Sequence, residues 1–329
     1  MSGFINELKT VKNKKAKVYS VAIRKRNGDS FWELKNPRFE ICRKLNCHRY
    51  WAADPFLFER QGTTYLFYEW FDLIRKRGYL AYSVIDDQGQ AGKAHIIIKG
   101  KTHFSFPCIF ELNGEICILP ETSEKNNLEL YVATDFPNQW EKKIVLKERF
   151  LCCDSVVFHH QGKCYIVSSA LFQPPKEGTL QSCYVNNILF SLEGIKLKAV
   201  DETCGIGDYG IRNAGKILQS NQKMIRVGQL CSDHQYGKGI VFWNVKNLHP
   251  YEEIFERQVS VEDIAQYDVF KTLPKLIGFH TYNRTEQYEV IDISYEKHIN
   301  CFVSLAEIFS RYCRSLGGKV KKRFYAEQD

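Results

Sequence analysis

Asp54 stands at the head of an apolar run, Trp51-Ala52-Ala53-Asp54-Pro55-Phe56-Leu57-Phe58, and Glu69 closes the next one, Tyr65-Leu66-Phe67-Tyr68-Glu69. Asp154, Glu121, Arg212, Arg226, Gln229 and His280 occupy similar heads and ends of other apolar runs further along the chain. Two carboxyl groups facing each other across a narrow polar funnel suit glycosyl chemistry. One acts as base or steadies the positive charge developing at the anomeric carbon, and the other, with a raised pKa, protonates the leaving oxygen. On this reading Asp54 is the base or charge stabiliser and Asp154 or Glu121 the proton donor. Glu69, Gln229 and His280 contact substrate, and Arg212 with Arg226 hold a phosphate or carboxylate. Trp51, Phe106 and Tyr236 offer rings for stacking on sugar faces. Each has a plainer reading. Asp before Pro is a common turn residue, the glutamates can be solvent-facing strand ends, the arginines can be ion-pair partners, and His280 can be a satisfied core histidine.

These residues act together only if the fold gathers them, and the repeat of the chain supplies the means. The two runs around Glu59-Arg60-Gln61-Gly62 read as a β-hairpin, with Asp54 and Glu69 at the same end. The layout recurs from Phe106 to Glu121, turning at Asn113-Gly114, and from Asp154 to Ser169, turning at Gln161-Gly162. A looser copy runs from Arg212 to Gln229 through Ser220-Asn221, and a half-legible fifth covers Lys275 to His280. Units of a few short strands at about 50-residue intervals are the period of a β-propeller. The fold expected is therefore all-β, a five-bladed β-propeller over residues 17–296. A flexible basic arm (1–16) precedes it, and a C-terminal helix with a basic tail (297–329) follows. In such a ring the heads of the first strands circle one mouth.

The segment Lys17–Arg24 is a strand by composition and stands outside the five hairpins. It is expected to close the ring beside Tyr288–Ile293. Trp32–Tyr50 reads as a connection laid over one face, Glu252–Ala265 as a surface helix or loop, and Gln173–Gly178 as an interruption of blade three. Leu305–Tyr312 has apolar residues at helical spacing and is expected to pack on the outside or bottom of the ring.

The 329 residues carry a net charge of +8, gathered in Lys14–Lys17, Arg24–Arg26, Arg75–Arg77 and Lys319–Arg323. Such clusters can meet an anionic membrane as a peripheral contact. No nucleic-acid module accompanies them, so nucleic acid is not an expected partner. With no long apolar run and no signal-peptide core at the N-terminus, the expected localisation is cytoplasmic. The twelve cysteines are scattered at strand positions and read as mostly free thiols. No His, Asp or Glu set has metal-ligand spacing, so neither a metal nor a cofactor is expected.

The stretches Trp51–Phe58, Tyr68-Glu69, His103–Pro107, Leu119–Ser123, Asp135–Trp140 and His280–Asn283 resemble the N-terminal domain of plant glucosamine inositolphosphorylceramide transferases. That domain in turn resembles the five-bladed propellers of arabinanases and family 43 glycosidases. The likeness covers roughly residues 45–295. It implies a base at Asp54, but Phe106 stands where those glycosidases have a pKa-tuning Asp, and Asp154 where they have an acid Glu. Arg212-Asn213 and Gln229-Leu230 also depart from the pattern. These changes speak against simple hydrolysis. In the plant enzymes a separate domain looks like the transferase.

The function expected is a carbohydrate-active propeller in the synthesis or modification of cell-surface glycans, by glycosyl transfer or glycosidic-bond chemistry. Its ligand would be a sugar, nucleotide sugar or glycan. The alternative is a non-catalytic module that binds glycan or a partner through the same ring.

Overall fold

The computed structural model describes residues 11, 14–122, 127–147, 151–171, 185–193, 196–207, 209–219, 223–232 and 235–326. The chain opens with β1 (Lys15–Lys25) and the short β2 (Glu40–Ile41). Blade one follows as β3 (Tyr50–Arg60), β4 (Thr63–Asp72), β5 (Arg77–Ile85) and β6 (His95–Ile98). Blade two is β7 (Ser105–Leu112), β8 (Glu115–Glu121), β9 (Asn127–Asp135) and β10 (Gln139–Lys147). Blade three is β11 (Leu151–His160), β12 (Lys163–Leu171), β13 (Val185–Glu193) and β14 (Lys196–Gly207). Blade four is β15 (Leu218–Gln219), β16 (Met224–Ser232), β17 (Gln235–Leu248) and β18 (Tyr251–Ser260). Two short helices, α1 (Val261–Ala265) and α2 (Asp268–Lys271), lead to β19 (Leu276–Gly278), β20 (Tyr282–Arg284) and β21 (Tyr288–His298). The helix α3 (Cys301–Ala326) ends the described chain.

Blades one to four are four-stranded meanders. The fifth sheet runs β19-β21-β1-β2, with β20 also on β21, so the ring is closed by the N-terminal strand, as expected. β1 lies antiparallel to β21 from Lys15 opposite His298 to Lys25 opposite Tyr288. Val18, Val21, Ala22 and Ile23 of β1 are buried, and each large apolar side chain placed there contributes roughly 1.5–3 kcal/mol. Closure thus rests on hydrophobic burial as well as on the ladder.

The first three inner hairpins turn through Gln61-Gly62, Asn113-Gly114 and Gln161-Gly162, and both residues of each turn have positive φ. That geometry matches the right-handed twist of the flanking strands, which is why Gly holds the second place. The heads of the first strands share another irregularity. Asp54, Phe106 and Asp154 have φ of 51°, 47° and 45°, and the ladder skips at each of them. These β-bulges re-aim one residue per blade.

Two expectations are corrected and a third is narrowed. Glu252–Ala265 is the outer strand β18 running into α1, and Glu40–Ile41 in the supposed connection is the outer strand of blade five. Of the two placements expected for α3, the outside or the bottom of the ring, the bottom is excluded. The helix lies at the end of blade one where Asp54 is, with Lys14 Nζ 2.6 Å from Glu307 Oε2 and Arg314 Nη1 donating to the carbonyl of Arg75 at 3.4 Å. The expected turn at Ser220-Asn221, the interruption at Gln173–Gly178 and most of the arm at 1–16 fall outside the described residues. Among the described residues no helix is long and apolar enough to cross a membrane. None of the ten cysteines whose side chains are described is in a disulfide.

Candidate functional site

The bulged strand heads and the ends of the second strands meet at a cavity of about 360 Å³. Blade one contributes Trp51, Asp54, Glu69 and Phe71, blade two Ser105 and Glu121, and blade three Asp154. Arg212 and Gln229 come from blade four, His280 from blade five, and Lys17 and Tyr19 from the closing strand. Of the residues that the sequence singled out, Trp51, Asp54, Glu69, Glu121, Asp154, Arg212, Gln229 and His280 are therefore brought together.

Asp54 is held from both sides. Its Oδ2 accepts the backbone N–H of Phe106 at 3.2 Å, and its Oδ1 accepts the hydroxyl of Thr281 at 2.9 Å. His280 Nε2 stands 3.4 Å from the same Oδ1. Burial pushes the carboxyl of Asp54 above its ordinary range, against the pull of His280. Asp292, deep in β21, is the anchor behind it. Its Oδ1 accepts the N–H groups of His280 and Thr281 at 2.9 and 3.0 Å, and its Oδ2 accepts that of Asp54 at 3.2 Å. Oδ2 also lies 2.7 Å from His280 Nδ1. So many donors favour the anion, and Asp292 sits below the usual carboxylate range despite its burial. His280 is raised by that anion, although burial opposes it.

On the opposite wall Asp154 Oδ2 accepts from Arg212 Nε and, at 3.0 Å, from Gln229 Nε2. Arg212 Nη2 also lies 3.6 Å from Glu121 Oε2. One guanidinium is thus shared by two acids, and burial together with the Glu121 charge lifts Asp154 to about 7 despite Arg212. Glu69 is also pushed well above the ordinary range, first by burial and then by the acids around it. His103 Nδ1 accepts the N–H of Gly78 at 3.0 Å, so the ring proton lies on Nε2, 3.4 Å from Glu69 Oε1. The arrangement gathers three acids, Asp54, Glu69 and Asp154, whose protonated forms are all favoured by burial. That is a set able to give and take a proton at one bound atom.

Trp51 stacks on Phe71 with ring centroids 4.4 Å apart and leans on Tyr19 at 5.1 Å, forming an aromatic wall. Besides His280 Nδ1, which is paired with Asp292, three cavity residues each have a buried polar atom that makes no hydrogen bond with a described residue: Trp51 Nε1, Glu69 Oε1 and Gln229 Oε1. Such atoms are costly unless something satisfies them. Two donor sets also approach metal-ligand spacing, Asp54 with His280 and Asp292, and Glu121 with Cys153 and Asp154. The first is already saturated by backbone and hydroxyl donors. In the second, burial drives the Cys153 thiol well above its ordinary range, which disfavours the thiolate a metal needs.

Two assignments are corrected by position. Phe106 occupies the bulge equivalent to Asp54, but its ring is fully buried edge-on against Phe56 at 4.9 Å and does not face the cavity. Arg226 is fully buried in blade four, bonded to Glu253 at 2.6 and 2.8 Å and to the carbonyls of Gly210 and Ile211 at 3.0 Å each. It braces that blade and cannot reach a ligand. The side chain of Tyr236 falls outside the described residues. Asp292, His103, Lys17, Tyr19 and Phe71 were not singled out as site residues from the sequence. The signal for Asp292 was present, a lone acid between Ile291 and Ile293 in the closing partner strand.

The chain matches the family model described as glucosamine inositolphosphorylceramide transferase 1, N-terminal, over residues 16–269. The glucosamine inositolphosphorylceramide transferase 1 of Arabidopsis thaliana is 32% identical over 232 residues, 65% of this chain and 28% of that protein. The protein of that name from Oryza sativa subsp. japonica is 27% identical over 239 residues, 70% of this chain and 32% of its own length. The chain thus spans about a third or less of the relatives it matches. Among solved structures, a family 117 glycoside hydrolase produced by Zobellia galactanivorans superposes with a TM-score of 0.50 at 10% identity. The superposition covers 84% of this chain and 90% of the hydrolase. At that identity the likeness concerns the fold.

Proposed function

The chain belongs to the family of the glucosamine inositolphosphorylceramide transferase N-terminal domain, and from that premise we propose that its cavity binds a sugar and takes part in glycosyl transfer. The observation that carries the reading is the set of unsatisfied polar atoms, Trp51 Nε1, Glu69 Oε1 and Gln229 Oε1, beside the aromatic wall. A sugar has the matching parts, hydroxyls that donate and accept, and an apolar face that packs on an aromatic ring. Arg212 is committed to Asp154 and Glu121, so the cavity suits a neutral sugar ring better than a phosphate. In the enzymatic form of the proposal Asp54 faces the anomeric carbon as base or charge stabiliser. Glu69 or Asp154, kept protonated by burial, gives the proton to the leaving oxygen. Glu121 holds Arg212 in place.

The second reading, a glycan-binding module without turnover, is favoured by the structural bonds of Asp54 to Phe106 and Thr281. Because of those bonds a change at Asp54 would disturb folding and chemistry together. Glu69→Gln is the cleaner test, since it keeps the shape and removes the proton. Thermal-shift titration with neutral oligosaccharides and nucleotide sugars, followed by a transfer assay on whatever stabilises the protein, reads both. Loss of transfer with binding kept supports catalysis at Glu69. Equal transfer by the variant refutes that role, and no stabilisation by any sugar refutes the site.

A further inference from the structure

β21 ends at His298 opposite Lys15, two residues before Lys17 in the cavity wall, and a small cleft bounded by Trp51, Leu73 and Lys297–Asn300 connects that wall to the start of α3. The helix then runs along the turn between β4 and β5, tied by Lys14 to Glu307 and by Arg314 to the carbonyl of Arg75. Val303, Ser304, Glu307 and Ile308 are buried on the face toward the ring. The other face carries a second apolar stripe with no such cover. Phe302 is 76% exposed, Leu305 40% and Phe309 64%, at i, i+3 and i+7 on one side of the helix. Between residues 301 and 326 the sequence has Arg311, Arg314, Lys319, Lys321, Lys322 and Arg323 against Glu307 alone, and Arg75, Lys76 and Arg77 lie alongside.

We propose that α3 is an interfacial anchor whose Phe302, Leu305 and Phe309 enter the headgroup boundary of an anionic bilayer, drawn to it by the positive charge that the helix sequence and the β4–β5 turn carry. An exposed aromatic stripe on a strongly cationic helix is what such a surface binds. A second copy of the chain would set these like charges against each other, so the bilayer is the occupant that the charge selects. The anchor lies at the cavity end of blade one, which brings a sugar carried on a lipid headgroup to the cavity. That consequence rests on the carbohydrate reading above, whereas the anchor does not.

The test is co-sedimentation of the full chain with vesicles of phosphatidylcholine, alone or containing phosphatidylserine. Wild type is expected to sediment with the anionic vesicles and to be released by salt. Phe302→Ser with Phe309→Ser is expected to weaken this about tenfold or more. Lys321→Gln, Lys322→Gln and Arg323→Gln together are expected to weaken it as well, and the thermal midpoint of the double serine variant is expected to be unchanged because Phe302 and Phe309 are exposed. Sedimentation with neither vesicle, or equally by wild type and both variants, overturns the anchor. So does a dimer in analytical ultracentrifugation that the double serine variant dissociates, which would assign the stripe to a second copy. Sugar stabilisation measured without vesicles is read in parallel. Its absence with vesicle binding intact counts against the carbohydrate reading and leaves the anchor standing.

Discussion

The carboxylate of Asp54 in blade one accepts the backbone N–H of Phe106 in blade two at 3.2 Å, and both residues sit at left-handed bulges. The same relation recurs one step back around the ring, where Asp292 of blade five accepts the N–H of Asp54. The bulges at Asp54 and Phe106 turn a backbone donor out of its own ladder and toward the acid of the neighbouring blade. The acids at the mouth therefore fasten blade to blade as well as lining a cavity, and this double duty shapes what substitutions there will do.

Replacing Asp54 by Ala removes the acceptor for the Phe106 N–H and the Thr281 hydroxyl, leaves buried donors unmatched and puts Ala at φ 51°. The expected loss of stability is about 2–4 kcal/mol. Asp54→Asn keeps one carbonyl oxygen and a residue that tolerates the left-handed region, so its loss is about 1–2 kcal/mol. Urea unfolding of the two variants checks this, and an Asp54→Ala protein as stable as wild type would show that the clasp is idle.

Asp154 gives the fold a pH dependence whose sign follows from its shift. Its pKa rises from an ordinary 3.8 to about 7 on folding, so the folded state binds the proton more tightly than the unfolded chain. The stability this contributes is complete below the unfolded value and is lost as pH rises through the folded one. The difference in unfolding free energy between wild type and Asp154→Asn is therefore expected to fall between about pH 4 and pH 7 and to level off above, by an amount on the order of a few kcal/mol. A difference that stays flat over that interval would mean that Asp154 remains ionised in the fold.

Deleting residues 1–25 removes β1, exposes the whole edge of β21 and strips Val21 and Ile23 from the core. Most of blade five then has no neighbour on one side. The truncated chain is expected to lose its cooperative thermal transition, read by circular dichroism. A sharp melt near the wild-type temperature would mean that the ring does not need this closure.

The repeat was legible because hairpin turns and strand heads keep their offset: Asp54, Phe106 and Asp154 were aligned by spacing alone and do share one backbone conformation. Side-chain direction was not legible. At that shared position a carboxylate reaches the mouth, whereas the ring of Phe106 packs on Phe56. Arg226 stood at a strand position that looked equivalent, but Glu253 of the outer strand β18 claims it. That strand was itself missed, since six of its ten residues are exposed and its sequence alternates too little to read as β. Asp292 escaped because it has no counterpart in the other hairpins. Its importance comes from the closure of the ring, a contact between chain ends that spacing does not encode.

Gly78 is where packing and site meet. Its N–H bonds His103 Nδ1 at 3.0 Å and its carbonyl accepts from the N–H of Phe104 at 3.2 Å, so the strand β5 cannot retreat without loosening both. A Cβ at this position would lie 2.3 Å from the Phe104 carbonyl oxygen and 2.5 Å from Glu69 Oε1. Gly78→Ala is therefore expected to displace Glu69 and His103 together, to cost about 1–3 kcal/mol, and to abolish stabilisation by a sugar that binds wild type. Gly114→Ala serves as the control. Nothing lies within 4 Å of its Cβ, yet its φ of 82° makes Ala strained, so stability falls by about 1 kcal/mol or more with the cavity untouched. If both variants lose stability but only Gly78→Ala loses the ligand, Glu69 is in contact with it. If Gly78→Ala binds as wild type does, the sugar does not lie against Glu69, and the proton donor must be sought at Asp154.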